Sequence, residues 1–276
     1  MIHHTENNTT VKIGQATATI IADTISPEGK RLTTFELVYP RYIHSEVMTH
    51  RVFSRNASSS RATPLKVTLD EVRHDPVFFD YVGENQAGMV AGEELKGEKL
   101  EEFHYMWNAL GVMVATYVKR LSEDYNVHKQ TLNRALEPWL RIRTLVTATD
   151  WDNFFTLRLA EDAQPEIRSL ALAMKEAMEK SKPKQGDIHL PYITDAELAD
   201  EDVELLTWFK SSVARCARVS YARHDGKVSM IEEDIKLHDR LLKGGHFSPF
   251  EHIARPSNGR CANFDGWESY RHRLGK

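Results

Sequence analysis

The sequence predicts an α+β fold, a mixed or antiparallel sheet packed with long helices in a single domain over residues 1–276. Three observations predict it. Residues 11–25 and 31–39 are rich in β-branched side chains and alternate in part; between them, Ser26-Pro27-Glu28-Gly29-Lys30 has the chemistry of a hairpin turn. The stretch EEFHYMWNALGVMVATYVKRL, residues 101–121, is apolar on more than one face, which predicts a long helix buried in the subunit or between subunits. Residues 162–180, with Pro165 in the first turn, and residues 232–243, ended by Gly244-Gly245, are amphipathic and predict further helices.

The second strand leads through Pro40 into EVMTHRVFSRNASSSR, residues 46–61. Val47, Met48, Val52 and Phe53 recur near helical spacing, so residues 46–55 are predicted as a helix with one buried side. Asn56, Ser58, Ser59 and Ser60 then compete with the backbone for hydrogen bonds and predict a polar loop. Arg51, Arg55 and Arg61 supply rigid forks of donors, and with the serine hydroxyls they suit a phosphate. An isolated run of this kind is more often a solvated basic helix end. Residues 64–99, with Pro64, Pro76 and several glycines, are expected to be a surface connection. Residues 128–139 predict a helix ending near Pro138, and residues 145–159 are a β-branched run followed by an aromatic one. Residues 181–187 mark a link, and residues 195–216 predict a helix.

Charged residues make up 28% and hydrophobic ones 41%, ordinary values for a globular chain. A net charge of −4 supplies no basic field for nucleic acid, so a phosphate partner should be small and locally held. No apolar run approaches a membrane span, and the first ten residues lack the features of a signal peptide. The 2 cysteines, Cys216 and Cys261, fit a reducing compartment and exclude a thiolate zinc cluster, so a cytoplasmic location is expected. His3-His4 lies in a polar tail, and no metal site is expected there.

His50-Arg51, Asn56, Ser59 and Arg61 resemble the signature of flavin-dependent thymidylate synthases: Arg-His-Arg, seven variable residues, Ser, and Arg two further on. Thr49 stands where that signature has its first Arg. Asn133-Arg134-Ala135-Leu136-Glu137-Pro138 resembles the family helix that carries a nucleotide-binding Arg, and Arg134 matches it. Asn153 and Arg158, followed by Ala163-Gln164, match the stretch in which an Asn contacts flavin and an Arg contacts the pyrimidine. Arg215-Cys216-Ala217-Arg218-Val219-Ser220-Tyr221 and residues 245–252, GHFSPFEH, resemble segments that open most family members but here follow everything else. The resemblance therefore implies a circularly permuted chain: residues 1–63 as hairpin plus signature, 64–99 as connection, 100–182 as helical core, and 205–276 as the usual N-terminal module. A second Arg-His-Arg, Arg271-His272-Arg273, has no room for the rest of the motif and is taken as a decoy or a secondary phosphate contact.

The resemblance implies methylation of dUMP to dTMP with 5,10-methylenetetrahydrofolate as carbon donor, FAD as redox carrier and NADPH as reductant, in a homotetramer whose sites are shared between subunits. It implies Arg158 as the catalytic residue at the pyrimidine edge. Glu46, Ser58, Ser59, Ser60, Arg61, Arg134 and Arg158 would hold dUMP, and Thr49, His50, Arg51, Asn56, Thr147, Thr149, Asn153, His246 and Ser248 would hold FAD. The departures, Thr49, Thr147, Thr149 and Asp162, gather around the flavin, with Glu46 for Gln and Ala57 for Glu nearby. They motivate an alternative, a degenerate nucleotide binder that kept the phosphate grip and lost catalysis. A nucleophilic-cysteine synthase through Cys216 or Cys261 is the weaker enzyme alternative, because neither has a catalytic context.

Overall fold

The computed structural model describes residues 9–220 and 230–276; Tyr221 and His3-His4 lie outside them. A single sheet organises the chain, with strand order β1 (Thr10–Ile13), β2 (Ala16–Ile25), β3 (Arg31–Pro40), β5 (Arg141–Ala148) and β4 (Ser54–Ala57), all antiparallel. The first predicted strand is thus two. Gly14, at φ +52°, turns the chain between β1 and β2, and a Cβ there would lie 2.3 Å from an Asp80 carboxylate oxygen. The predicted turn forms, with Gly29 N–H donating to the Ser26 carbonyl at 2.9 Å.

The signature departs from its predicted helix. The helix α1 spans only His44–Met48, and Ser54–Ala57 is a sheet strand. Thr49 Oγ1 donates back to the Glu46 carbonyl at 2.6 Å, and Arg55 Nη1 donates to the Met48 carbonyl at 2.7 Å, which closes a reversal between the two. Phe53 packs on Trp151 and Phe154, with ring centroids 4.8 and 5.4 Å apart, and that anchor outweighs the helical spacing. Met48 and Val52, read as part of the apolar stripe, are exposed.

The predicted surface connection holds a helix, α2 (Leu65–His74), whose Leu69 and Val72 pack under α3 (Glu98–Tyr125). Gly111 of α3 lets Trp139 approach closely, since a Cβ there would stand 2.9 Å from its indole nitrogen. Short α4 (Lys129–Leu132) runs into a 3-10 turn over Asn133–Trp139, ahead of β5. After β5 come α5 (Asp152–Arg158) and α6 (Pro165–Lys180); the predicted link contains β6 (Lys184–Gln185), parallel to β2. The predicted helix over 195–216 is two, α7 (Asp195–Leu198) and α8 (Leu205–Arg218). Then α9 (Ile231–Lys243) precedes a hairpin of β7 (Ala254–Cys261) and β8 (Phe264–Ser269), and α10 (Tyr270–Arg273) follows.

The sheet is covered on both faces. Phe35, Leu37, Tyr39, Ile142 and Val146 face α6. Leu145 on the other face meets Trp208, Val213, Ala217 and Phe250 of the C-terminal module. A buried polar seam also joins this second face to the module. His189 Nδ1 bonds Thr24 Oγ1 at 2.9 Å and its Nε2 bonds Thr34 Oγ1 at 2.7 Å; Thr34 bonds Thr147, which bonds His252 Nδ1 at 2.8 Å. Burial holds both histidines down to about 3, from 6.5, so they are neutral in the fold. Once unfolded they protonate near 6.5, so between about pH 6.5 and 3 the unfolded state binds more protons. Stability is therefore full above that window and falls as pH drops through it. Urea unfolding should show a lower midpoint at pH 5 than at pH 7.5; equal midpoints would show that the histidines protonate within the fold.

Candidate functional site

Two clusters of signature residues are assembled by the fold. In the first, the end of α5 points Arg158 back at the reversal after α1. Its Nε donates to His50 Nε2 at 2.9 Å, and its Nη2 donates to Thr49 Oγ1 at 3.1 Å and to the Glu46 carbonyl at 3.4 Å. His50 is buried and edge-on to Phe154, with centroids 4.9 Å apart. Burial, then the charges of Arg158 and Arg55, pull its pKa down to about 4. It is therefore neutral, and with Nε2 accepting, the proton is assigned to Nδ1. This also accounts for Thr49: a guanidinium there would oppose Arg158, whereas the hydroxyl accepts from it.

The second cluster lies where Ser58–Arg61 leaves β4 beside the start of β5. Ser60 Oγ donates to Glu137 Oε1 at 2.8 Å, Arg134 Nη1 reaches the same oxygen at 2.9 Å, and Arg41 Nε lies 3.1 Å from it. Ser58 Oγ accepts from the Arg143 backbone N–H at 3.1 Å. The Ser59 carbonyl accepts from the Ala62 N–H at 3.0 Å. Arg61 is exposed, and no hydrogen bond or ion pair engages its side chain among the described residues. Asn133 holds the loop in shape: its buried amide donates to the Ser60 and Thr63 carbonyls at 2.7 and 3.0 Å. Arg41, Asn133 and Glu137 are absent from the sequence-derived site. Asn133 and Glu137 stand beside Arg134 in the quoted motif, whereas nothing local links Arg41 to it.

The residues expected around flavin divide. Ser54, Asn56, Leu145 and Thr147 share the sheet face under the C-terminal module, so Asn56 and Thr147 point inward. Asn56 donates to the Cys216 carbonyl at 2.8 Å and accepts from Ser220 Oγ at 2.9 Å, and Thr147 belongs to the buried seam. Arg51, Asn153, His246 and Ser248 are exposed. Thr149 and Asn153 line a cleft of ≈ 570 Å³ together with Arg31, Trp151, Phe155 and Arg260. The Trp151 indole N–H there is buried without a partner. An aromatic-walled cleft with an unmet donor fits part of a flavin cofactor, and Asn153 and Thr149 line it.

The second Arg-His-Arg commits its charges elsewhere. Arg271 pairs with Glu251 and lies over the Phe247 ring, and Arg273 stands 3.9 Å from Glu268. Cys261, Glu268 and His272 bring potential metal-ligand atoms within 4.8 Å of one another, with Arg273 beside the carboxylate. Neither cysteine is an activated nucleophile: Cys216 is fully buried with its thiol pushed far up, and burial also raises Cys261.

Comparison with known proteins identifies the family. A family model, the thymidylate synthase complementing protein (Thy1), matches residues 30–184, more than half of the chain. Similar solved structures include the flavin-dependent thymidylate synthase ThyX from Helicobacter pylori, complexed with FAD and dUMP. It is 22% identical, covers 53% of this chain and 67% of its own, and has a TM-score of 0.39. The UMP/dUMP methylase PolB from Streptomyces cacaoi, bound with 5-Br UMP, is 18% identical over 54% of this chain and 70% of its own, at a TM-score of 0.43. None of the curated protein sequences matches. The matched span holds the signature, Arg134 and Arg158 alike, and the chain belongs to the thymidylate synthase complementing protein family, the flavin-dependent thymidylate synthases.

Proposed function

We propose that the chain methylates dUMP to dTMP, using 5,10-methylenetetrahydrofolate as carbon donor, FAD as redox carrier and NADPH as reductant. The observation that carries this is Arg158, fixed by His50 and Thr49 of the signature and so held ready for a developing charge. When bound, the flavin supplies the hydride chemistry. The chain's own residues orient and polarise. Arg158 is anchored through Nε and Nη2, while its Nη1 takes part in none of these bonds, so it can meet the pyrimidine edge and stabilise negative charge developing on the ring. A neutral His50 preserves that arrangement, because a protonated ring would repel the guanidinium. Ser59, Ser60, Arg61 and Arg134 grip the nucleotide phosphate, and Asn153, Thr149, Arg51, His246 and Ser248 hold flavin.

The deciding experiment is the visible spectrum of the purified protein, alone and after adding FAD and desalting. A flavin spectrum that bleaches with NADPH and returns with dUMP and methylenetetrahydrofolate supports the enzyme. A protein that binds dUMP yet retains no FAD is the degenerate binder, which the inward-facing Asn56 and Thr147 favour.

The permuted order is supported by how residues 205–220 and 248–269 sit: Ser220 Oγ donates to the Ala57 carbonyl at 2.8 Å, and Asn263 donates to Ser54 Oγ at 3.2 Å, both on the signature strand. A homotetramer is supported by α3, whose Tyr105, Met106, Leu110, Met113 and Tyr117 are exposed. Leu110→Lys with Met113→Glu should shift the mass measured by light scattering toward a single chain; an unchanged mass would move the interface elsewhere. Among the described residues, no helix is long and apolar enough to cross a membrane; a cytoplasmic location belongs to the same proposal.

A further inference from the structure

We propose that Glu137 is a resident anion of the phosphate grip: its carboxylate occupies the place of a nucleotide 5′-phosphate and must leave Arg41, Arg134 and Ser60 before the phosphate binds. This rests on the dUMP proposal above and adds to it a residue that sets how strongly the site selects a phosphorylated pyrimidine.

The geometry is that of an occupied oxyanion site. A single oxygen, Oε1, faces Ser60 Oγ, Arg134 Nη1 and Arg41 Nε, all between 2.8 and 3.1 Å. Two guanidinium groups and a hydroxyl converging on one oxygen are the donor set a phosphate oxygen takes. The contact is written into the local backbone. Residues 133–139 form a 3-10 turn, in which side chains three apart eclipse, so Glu137 stacks on Arg134. The grip does not depend on Glu137 for its shape. Asn133, fully buried, ties the loop through the Ser60 and Thr63 carbonyls, and Thr68 Oγ1 donates to Asn133 Oδ1 at 2.8 Å.

The carboxylate is also free to move. The Glu137 side chain is 27% exposed and that of Arg134 57%, so the cluster opens to solvent on one side. Its two arginines outnumber its one carboxylate, which leaves a net positive charge for an incoming anion even before the exposed Arg61 is counted. A phosphate dianion carries more charge and more acceptor oxygens than a carboxylate, so it can displace one from a shared donor set. The cost of that displacement then falls on phosphorylated ligands alone, because a nucleoside never enters the grip.

The test is titration calorimetry of dUMP and of deoxyuridine with the unaltered protein, Glu137→Gln and Glu137→Leu, with a thermal melt of each. Removing the charge should tighten dUMP on the order of tenfold, the scale of one charge-assisted contact, and leave deoxyuridine unchanged. Glu137→Leu, which removes the acceptor as well, should gain at least as much. Equal or weaker dUMP binding by a variant that melts normally overturns the inference, as does an equal gain for deoxyuridine. Should both variants fail to fold, a crystal structure of the unaltered protein with dUMP still decides. Glu137 withdrawn from Arg41 and Arg134 supports displacement, and Glu137 still bonded to both, with phosphate elsewhere, overturns it. If no form binds dUMP, the nucleotide proposal falls and this one with it. If dUMP binds but the variants match the unaltered protein, only this one falls.

Discussion

Arg158→Ala should abolish methylation, by at least about 100-fold in turnover, while leaving bound flavin in place. Removing one preorganised donor from a charge-developing site typically costs on the order of 10²–10³ in kcat. The flavin contacts proposed here come from Asn153 at the other end of α5 and from residues outside it, so the cofactor has no reason to leave. A second readout separates this role from mere packing. The charge of Arg158 is one of the causes, after burial, that hold the His50 pKa near 4. In Arg158→Ala, His50 should therefore titrate higher by NMR, while staying below the ordinary histidine range because it remains buried. Retained turnover, or flavin loss with dUMP binding intact, would remove Arg158 from the role assigned to it.

Arg215→Ala should cost about 3–5 kcal/mol of folding stability, the range measured when one partner of a buried charge pair is deleted. Arg215 is 3% exposed. It donates to Glu197 through two nitrogens at 2.7 and 3.0 Å, to Asp234 Oδ2 at 3.1 Å and to the Tyr192 carbonyl at 2.8 Å. These contacts bind α8 to α7 and α9, and the residue after it, Cys216, offers its carbonyl to Asn56 of the signature strand. Losing the guanidinium therefore removes one charged partner from each of two carboxylates, Glu197 and Asp234. Denaturant unfolding measures the cost, and a loss under about 1 kcal/mol would show that the other contacts of the two carboxylates, Arg218 on Asp234 among them, hold the site. Arg215→Lys should recover only part, since one ammonium cannot span three acceptors from the same position.

Much of the site was legible because its residue types sit at characteristic spacings. Arg158 and His50 could be picked out 108 residues apart, and they meet at 2.9 Å. The grip was half legible. Ser60 and Arg134 came from motifs, but Glu137 acquires its meaning only when the β4–β5 pairing brings the serine loop beside the 3-10 turn. Asn56 and Thr147 occupy motif positions too, yet their side chains are spent on Cys216, Ser220, Thr34 and His252.

The sequence by itself determined the β2–β3 hairpin, the helices α3, α6 and α9, and the family, because turn chemistry, helical periodicity and motif spacing are local properties. The partial alternation over residues 31–39 becomes two faces of β3, Phe35, Leu37 and Tyr39 on one and Thr34 and Glu36 on the other. Only the tertiary structure decided what each face meets. The polar face is covered: Thr34 bonds His189, and Glu36 takes Tyr192 and Arg143. The tertiary structure likewise turned the signature from a helix into a reversal and a strand, because Phe53 gains more from the Trp151 and Phe154 rings than from continuing α1. Such outcomes depend on partners more than a hundred residues away, and a local pattern records only that a side chain needs a partner, not which one it finds.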